Sequence, residues 1–256
     1  MANASTWPCV AFNYSGAHVL VTGGTSGIGA GVAQAYRKAG ASVTITGTRG
    51  SADKYEEDLS GYRYLQLDVT DKANIARVAA ELTQLDVLVH SAGIGLASIG
   101  IDESIPDNFA IAIEMHLTSV YRLSHACFPL LAKSKLQGGG SIIGIASMAS
   151  FFGMPIVPGY GAAKGGLVQL MMTLSITGAP QNIRANAVAA GMTASRQTSV
   201  VTNRPEAFAP MLSRTPLGRF GVPDDISGPV LFLTSPAAAY ITGQTINVDG
   251  GFSIAG

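Results

Sequence analysis

Tyr160 and Lys164 are the residues whose types and spacing point most directly to chemistry. They lie four positions apart in Tyr-Gly-Ala-Ala-Lys, so on a helix both side chains would share one face, one turn apart. A tyrosine has a pKa near ~10, and a neighbouring cation lowers that pKa by stabilising the phenolate. Lys164 is the only charged residue between Lys135 and Arg184. The pair therefore predicts a proton-transfer site, and the alternative is an ordinary Tyr/Lys pair on a helix surface.

A glycine-rich turn near the N-terminus predicts a phosphate-binding site. Residues 19–21 form a short apolar run, residues 22–29 read Thr-Gly-Gly-Thr-Ser-Gly-Ile-Gly, and a helical pattern continues to Gly40. Glycines let backbone N–H groups approach a pyrophosphate, and the helix N-terminus adds partial positive charge. The spacing differs from the GxGxxG fingerprint. A tight strand-to-helix connection without a ligand is the alternative.

Arg49, at the end of the second predicted strand, bears on the type of cofactor. It lies in Gly-Thr-Arg-Gly at residues 47–50. Many NAD-binding folds have an acidic residue there for the ribose 2′-hydroxyl, whereas an arginine suits the 2′-phosphate of NADP(H). We expect NADP(H) to be preferred, with NAD(H) as the alternative if Arg49 is a solvated loop residue.

Apolar runs alternate with helical patterns along the whole chain. Alternation of strands and helices requires parallel pairing with right-handed crossovers. The expected fold class is α/β, a single-domain Rossmann-type doubly wound parallel sheet of about seven strands with helices on both faces. Ligands of such sheets bind at the carboxyl ends of the strands. The predicted strands are residues 19–21, 42–46, 62–67, 86–90, 141–146, 183–189 and 245–248, and the longer predicted helices cover 106–131, the segment after Tyr160 and about 224–233.

The domain organisation is expected to be simple. Residues 1–15 read as a short N-terminal extension because they lack the positive region and apolar core of a signal peptide. Residues 16–256 read as one domain without an internal repeat. Within it, residues 194–220 have no strong period, carry four arginines and follow a strand end, so we expect a mobile substrate-side lid.

Composition excludes some partners and favours others. The 16 basic and 16 acidic residues cancel, so no long-range field attracts nucleic acid or an acidic membrane surface. Charged residues make up 12% of the chain, about half the usual ~25%, which favours surface hidden in an oligomer. Cys9 and Cys127 form no CxxC pair and no histidine cluster accompanies them, so we expect a cytoplasmic protein without a metal site.

Together these residues resemble the short-chain dehydrogenase/reductase family over almost the whole chain. Each match is modest alone, but their order and spacing agree, which favours the proton-transfer interpretation of Tyr160 and Lys164. The matches are residues 22–29 for the TGxxxGIG turn, Asp68 and Val69 for the adenine-contacting pair, Ser147 thirteen residues before Tyr160, Lys164 for YxxxK, and residues 182–188 and 243–251 for later signatures.

The resemblance implies a mechanism of hydride transfer between a nicotinamide and a small carbonyl or alcohol substrate. Tyr160 would be the general acid in reduction and the base in oxidation, Lys164 would lower its pKa and hold the nicotinamide ribose, and Ser147 would orient the substrate oxygen. A homotetramer is the family's usual assembly. The expected cofactor contacts are Gly23, Thr25, Ser26, Gly27, Ile28, Gly29, Arg49, Asp68, Val69, Ser91, Ala92, Gly93, Tyr160, Lys164, Gly191 and Thr193.

Three positions depart from the family pattern. His90 replaces the first asparagine of NNAG, so that residue's hydrogen bonds must be supplied differently. Ala190 replaces a proline before Gly191 and is expected to loosen that loop. His116 aligns with the asparagine that anchors a proton-relay water in the family. Because histidine titrates near neutrality, we hypothesise that His116 joins the relay, and a core histidine with a satisfied N–H is the alternative.

The substrate is less clearly encoded. Phe151, Phe152, Met154 and Met192 flank the expected site and favour an apolar or aromatic ketone or secondary alcohol, although such residues also serve as plain packing. Ser147 could equally be a strand-terminal serine bonded to nearby backbone. Two other functions stay open, a nucleotide-binding sensor or scaffold without turnover and a lyase or isomerase on the same scaffold.

Overall fold

The architecture is a single seven-stranded sheet in a computed structural model that describes residues 10–194 and 205–255. The strands are β1 (His18–Thr22), β2 (Ser42–Gly47), β3 (Arg63–Gln66), β4 (Val87–His90), β5 (Gly140–Ser147), β6 (Ile183–Ala190) and β7 (Thr245–Val248). All paired strands are parallel, in the order β3-β2-β1-β4-β5-β6-β7. The order reverses between β1 and β4, which is where such folds bind their ligands. The expected fold class is confirmed.

Helices cover both faces of this sheet. The helices are α1 (Gly27–Lys38), α2 (Lys72–Glu81), α3 (Pro106–Ile113), α4 (Ser119–Leu131), α5 (Pro158–Gly178), α6 (Pro205–Ser213) and α7 (Pro223–Thr234). Because side chains alternate along a strand, Val19 and Val21 of β1 pack into one buried cluster, whereas Leu20 packs into the other. Apolar residues of α1 and α7 complete the first cluster, and those of α2, α4 and α5 complete the second.

The strand register brings the carboxyl ends of the central strands together. Thr22 of β1 pairs with His90 of β4, and Ser147 of β5 pairs with Ala190 of β6. Ala190 in turn pairs with Val248 of β7. Segments that follow these residues therefore meet at one edge of the sheet, where the sequence places its chemistry.

The predicted helix over 106–131 is interrupted in the structure. A π-helical turn, Glu114–Thr118, separates α3 from α4. A π-helical turn contains one residue more than an α-helical turn, and such turns are frequent at functional sites. This turn contains His116, which is 2% exposed.

The proposed lid segment contains an element that the sequence pattern did not predict. Helix α6 occupies Pro205–Ser213, and residues 195–204 lie outside the described residues. Backbone hydrogen bonds join the two ends of this segment to each other. Ala194 N–H donates to the Gly221 carbonyl at 2.8 Å, and Gly221 N–H donates to the Met192 carbonyl at 2.9 Å.

Part of the N-terminal segment packs on the domain, although residues 1–9 lie outside the described residues. Tyr14 is 4% exposed, and its ring meets that of Tyr36 edge to face, with centroids 5.0 Å apart. The Tyr14 hydroxyl donates to the Leu231 carbonyl at 2.6 Å. Within the described part of the chain, no helix is both long and apolar enough to cross a membrane.

Candidate active site

The glycine turn forms a narrow backbone cradle between β1 and α1. A Cβ on Gly23 would lie 2.7 Å from Ala92 Cα, and one on Gly29 would lie 2.3 Å from the Gly23 carbonyl oxygen. Gly23 and Gly27 also have positive φ angles of 67° and 55°, which glycine adopts without strain. Only glycine fits this path.

The first turn of α1 is left open to an anion. Ser26 is the N-cap residue but makes no side-chain capping bond, and the first turn contains no acidic residue. Unsatisfied N–H groups and the helix dipole favour a phosphate at such an end. The cradle and the helix end therefore fit the pyrophosphate of a dinucleotide, as the sequence predicts. Ile28, by contrast, packs against the buried cluster on the α1 side of the sheet.

Thr22 ties the glycine turn to the loop after β4. Its hydroxyl oxygen accepts the N–H groups of Ser91 and Ala92, each at 3.1 Å. The Ser91 hydroxyl oxygen would lie 3.2 Å from a Cβ on Gly29. The structure therefore brings together two of the predicted cofactor segments, residues 22–29 and 91–93, at the switch point of the sheet.

Tyr160 is placed in the first turn of α5 by packing against α3. Its N–H group donates to Glu103 Oε2 at 2.7 Å. The preceding Gly159 has no room for a Cβ, which would lie 2.9 Å from the Ala112 Cβ atom. The Tyr160 ring meets the His116 ring edge to face with centroids 4.9 Å apart.

Ser147 ends β5 beside the Tyr160 phenol. Its hydroxyl oxygen accepts the Ala149 N–H at 3.1 Å, and its side chain lies close enough to the Tyr160 phenol to lower the pKa of that group. The bond to Ala149 is the local backbone contact expected of a strand-terminal serine. The contact with Tyr160 goes beyond it, because it joins the two predicted catalytic hydroxyl groups.

Lys164 lies one turn further along α5 and is buried, with 7% of its surface exposed. Its Nζ donates to the Ile145 carbonyl oxygen at 2.6 Å and lies 5.6 Å from the centroid of the Tyr160 ring. Burial lowers the pKa of Lys164 from 10.5 to about 8. A surface Tyr/Lys pair is therefore excluded.

The expectation that Lys164 lowers the pKa of Tyr160 is not met in this structure. Burial raises the pKa of Tyr160 above 10.0, the hydrogen bond from Ser147 lowers it, and the negative charge of Glu103 raises it again. The Lys164 ammonium is instead engaged by the Ile145 carbonyl. Loss of hydration outweighs the stabilisation of the phenolate here.

The two histidines that replace family asparagines are both neutral core residues. His90 is 4% exposed, its Nε2 hydrogen-bonds with Ser124 Oγ at 2.8 Å, and burial, together with the charge of Lys164, lowers its pKa to about 3. His116 Nε2 hydrogen-bonds with the Ile94 carbonyl at 3.1 Å, so this nitrogen carries the proton. Burial and the Lys164 charge also lower the pKa of His116 to about 3.

Titration of His116 near neutrality, the basis of the relay hypothesis, is not favoured here because burial lowers its pKa to about 3, and the relay role itself stays a hypothesis. Its second nitrogen, Nδ1, is buried and accepts no hydrogen bond from the described residues. Gly93, with φ of 140°, allows the ring to approach, because a Cβ there would lie 2.5 Å from Nδ1. His116 joins the predicted cofactor loop to the Tyr160 ring as a neutral group.

Arg49 lies exposed at the carboxyl end of β2, as predicted. Its guanidinium lies over the Tyr55 ring, 4.8 Å from the centroid, and Nη1 also donates to the Lys54 carbonyl oxygen. Its N–H group donates to the Tyr55 hydroxyl at 3.0 Å. The Tyr55 hydroxyl in turn lies near the glycine turn. A Cβ built on Gly47 would lie 2.2 Å from this hydroxyl and 2.9 Å from Cγ2 of Thr25, a residue of that turn.

The remaining predicted cofactor residues also lie at carboxyl ends of strands. Asp68 is exposed just after β3, and its Oδ1 accepts the Thr70 N–H at 2.9 Å. Val69 packs partly against the buried cluster on the α5 side of the sheet. Gly191 N–H donates to the Val248 carbonyl at 2.9 Å, and Thr193 is 5% exposed. Ala190 is the last residue of β6 and is buried.

The structure does not bring the predicted substrate residues into one cavity. Phe151 and Met154 line a groove of about 520 Å³ together with Phe152, whereas Met192 lines a separate cavity of about 120 Å³. Ser147 and Tyr160 line neither of these two spaces among the described residues. Phe152 lines the groove and Phe252 lines the cavity. Their rings are in contact, with centroids 6.0 Å apart.

Sequence reasoning missed two residues that organise the site. Glu103 reads as an ordinary loop acid before a helix, and only its burial at 1% exposure marks it as unusual. Thr22 belongs to the glycine motif. Its position at the end of β1 was the sequence feature that could have predicted its contacts with the loop after β4. Both act through contacts between segments far apart in the chain, which no local pattern records.

The parallel sheet, the glycine cradle and the pair of Tyr160 and Lys164 define an α/β protein of the Rossmann type. A family model described as Enoyl-(Acyl carrier protein) reductase matches residues 23–253. A 3alpha-hydroxysteroid dehydrogenase of Mediterraneibacter gnavus is 35% identical over 243 residues, which cover 90% of this chain and 94% of the relative. A cis-4-hydroxycyclohexanecarboxylate dehydrogenase of Sinomonas cyclohexanicum is 34% identical, covering 91% and 95%.

Solved structures agree with these relatives. The Pseudomonas aeruginosa RhlG/NADP active-site complex superposes with a TM-score of 0.83 at 30% identity, over 94% of this chain and 98% of that chain. The chain belongs to the short-chain dehydrogenase/reductase family. This is an oxidoreductase family, and similar solved structures contain NADP.

Proposed function

We propose that this protein transfers a hydride between a nicotinamide cofactor and a small ketone or secondary alcohol, with Tyr160 as the general acid or base. The observation that carries the proposal is the approach of the buried Lys164 and of the Ser147 side chain to the partly buried Tyr160. Carbonyl reduction needs a proton donor at the oxygen, and the Tyr160 phenol supplies one. The nicotinamide, when bound, supplies or accepts the hydride at the substrate carbon.

The roles of the three residues follow from their contacts. The Ser147 side chain lies close to the Tyr160 phenol, so the two hydroxyl groups can share one substrate oxygen. In reduction Tyr160 donates its proton to that oxygen, and in oxidation its phenolate accepts the alcohol proton. Lys164, which is buried with its Nζ 5.6 Å from the centroid of the Tyr160 ring, would hold a ribose hydroxyl of the cofactor. We assign the cofactor cradle to residues 22–29 and 91–93.

Turnover is tested with NADPH and NADH against a panel of ketones, and with both oxidised cofactors against secondary alcohols. The proposal expects a change in nicotinamide absorbance with at least one compound. Tight cofactor binding without any such change would favour a sensor or scaffold. Conversion of a substrate without net oxidation or reduction of the cofactor would favour a lyase or isomerase.

We propose a preference for NADP(H) over NAD(H), based on Arg49. Its guanidinium is exposed and oriented by Tyr55 and Lys54, next to the strand end that meets the adenosine ribose in this fold class. Titration of wild type and Arg49→Ala with NADPH and NADH tests it. Wild type should bind NADPH at least about tenfold more tightly, a margin of ~1.4 kcal/mol, and the variant should lose that margin.

Arg63→Ala is the matched control for Arg49→Ala. Arg63 is also exposed but starts β3, where its guanidinium donates to the Glu81 carbonyl at 3.0 Å. Removing it should leave both affinities unchanged. Equal affinity of wild type for NADH and NADPH would overturn the preference and make Arg49 a solvated loop residue.

The proposed substrate class is a small apolar or aromatic ketone or secondary alcohol. Phe151, Phe152 and Met154 give the 520 Å³ groove an apolar wall, and relatives are described as acting on a hydroxysteroid and a hydroxycyclohexanecarboxylate. We also propose residues 194–220 as the substrate-side lid of a single domain comprising residues 16–256.

The assembly and location are proposed on separate grounds. Met172 and Ile176 of α5 are 41% and 75% exposed, which supports a homotetramer that covers this face. A cytoplasmic location rests on the two cysteines without a pairing motif, of which Cys127 is buried and reduced.

A further inference from the structure

Glu103 is a buried carboxylate in direct contact with the segment that carries Tyr160. It lies in the loop before α3 and is 1% exposed. Its Oε2 accepts the Tyr160 N–H at 2.7 Å. Its Oε1 is buried without a hydrogen-bond partner among the described residues. A buried acid usually has its full set of partners, so this one calls for an explanation.

One part of the explanation is the N-terminus of α5. Val157, the N-cap residue, makes no side-chain capping bond, and Pro158 has no N–H to donate. The Tyr160 N–H belongs to the first turn, where helix N–H groups lack partners within the helix. Glu103 supplies the cap from another segment, and its negative charge also suits the positive end of the helix dipole.

The other part is electrostatic. A charge that is removed from water interacts strongly with nearby groups because little solvent screens it. The Glu103 charge raises the pKa of Tyr160, in the same direction as burial, whereas the bond from Ser147 lowers it. An unpartnered carboxylate oxygen keeps more of its charge available to act on the phenol than a fully hydrogen-bonded one does.

Other charged groups near α5 are less able to act on Tyr160. Asp107 on α3 is exposed to solvent, and Glu114 of the π turn is ion-paired with Arg122. Arg184 lies at the opposite end of β6, where its Nη1 donates to the Leu233 carbonyl at 2.6 Å. His116 touches the ring but is neutral, since burial lowers its pKa to about 3.

Lys164 remains as the cation near the phenol, and its Nζ donates to the Ile145 carbonyl oxygen at 2.6 Å. Tyr160 therefore lies between one buried cation on its own helix and one buried anion on the loop before α3. Of these two charges, that of Glu103 is the one that shifts the pKa of Tyr160 in this structure.

We propose that Glu103 is a positioning residue for Tyr160, which caps the first turn of α5 and places a buried negative charge beside the turn that carries the phenol. This inference rests on the proposed function in that a protonated phenol is the form required to donate a proton during carbonyl reduction. It assigns the loop before α3 a part in setting the direction and pH range of the reaction.

The test is the titration of Tyr160 in the protein without added cofactor. Incorporation of 3-fluorotyrosine at all eight tyrosines makes the phenols more acidic and gives each a ¹⁹F resonance. Comparison with Tyr160→Phe identifies the Tyr160 signal. Glu103→Gln keeps an oxygen that can accept the Tyr160 N–H but removes the charge. The Tyr160 resonance should then titrate about half a pH unit or more below its position in the unsubstituted protein.

Two further variants separate charge from structure. Glu103→Ala removes both the charge and the cap, so it should lower the Tyr160 pKa and also the melting temperature. Asp107→Asn removes an exposed charge on the neighbouring α3 and should leave the Tyr160 titration unchanged. The proposal is overturned if neither Glu103 variant shifts the titration, or if Asp107→Asn shifts it equally.

The same variants distinguish this inference from the proposed function. If Glu103→Gln shifts the Tyr160 resonance while Tyr160→Phe retains full turnover, the electrostatic inference stands and the assignment of Tyr160 as acid or base fails. If Tyr160→Phe is inactive and the resonance does not move in the Glu103 variants, the proposed function stands and the inference about Glu103 fails.

Discussion

At the scale of single residues, Lys164 is a destabilising element of the folded protein. Burial lowers its pKa from 10.5 to about 8, a shift that corresponds to roughly 3 kcal/mol. A lowered pKa means that folding disfavours the protonated amine. The penalty is therefore full below pH 8 and disappears as the pH rises to 10.5. A buried cation retained at this cost is typical of a functional group rather than a structural one.

Lys164→Met should consequently be inactive yet more stable at neutral pH. The substitution removes the buried charge but also the bond to the Ile145 carbonyl, so we expect a gain of about 1–3 kcal/mol in the free energy of unfolding. Urea unfolding at pH 7 and near pH 10 measures it, and the gain should shrink at the higher pH. Lys133→Met, at an exposed site, should show neither effect. A less stable Lys164→Met protein at pH 7 would contradict the electrostatic account.

His116 should contribute no titration to activity in the neutral range. Its pKa is lowered to about 3 by burial and by the Lys164 charge, so the ring stays neutral from about pH 5 upward. The pH–rate profiles of wild type and His116→Asn should therefore have the same limbs between pH 5 and 8, whatever the change in absolute rate. A limb near ~6.5 that is present in wild type and lost in His116→Asn would restore the relay hypothesis.

At the scale of elements, the π turn and the loop after β4 depend on each other at Gly93. A Cβ at this position would lie 2.3 Å from His116 Cε1, and the φ angle is 140°. Gly93→Ala should displace the His116 ring and with it the edge-to-face contact to Tyr160. We expect a loss of about 2–4 kcal/mol in stability, measured by chemical denaturation, together with weakened cofactor binding.

Gly95→Ala is the matched control two residues away. Gly95 has an ordinary φ of −64°, and no atom lies within 4 Å of a Cβ built there. Its substitution should change stability by less than about 0.5 kcal/mol. Equal effects of the two substitutions would show that the contact with His116 is not what constrains Gly93.

Most strands could be predicted from sequence because they are short, largely apolar runs that end in glycine or polar residues. Strand β7 was predicted as residues 245–248 and is Thr245–Val248. The π turn could not be predicted from sequence. Residues 106–131 keep a nearly continuous helical pattern even where the π turn adds one residue. Helix α6 was missed for a similar reason, since Pro210 lies inside it and weakens any helical signal.

The site was predictable to the extent that its residues form local motifs. Tyr160, Lys164 and Ser147 were predicted, and the structure brings their side chains together. The direction of the Tyr160 pKa shift was not predicted. It depends on burial and on Glu103, which lies 57 residues away in the chain. The separation of Met192 from Phe151 was likewise set by tertiary packing rather than by the sequence around either residue.

At the scale of the whole molecule, the exposed apolar face of α5 should be an interface in the proposed tetramer. Met172→Glu combined with Ile176→Glu would place two charges on that face, where Ile176 is 75% exposed. We expect smaller particles by light scattering with the fold retained in circular dichroism. Ile99→Glu, at a site 54% exposed outside this helix, is the control. An unchanged mass for the double variant would exclude this face as the interface.

Tyr160 as proton donor is tested most directly by a single-turnover measurement of hydride transfer in wild type and Tyr160→Phe, with cofactor binding measured on the same samples. The ketone is the best substrate from the panel and NADPH is the reductant. Phenylalanine keeps the ring and its contact with His116 but removes the proton. We predict unchanged NADPH affinity and a rate lower by about 10²–10⁴. Equal rates in the two proteins would contradict the assignment of Tyr160 as the proton donor.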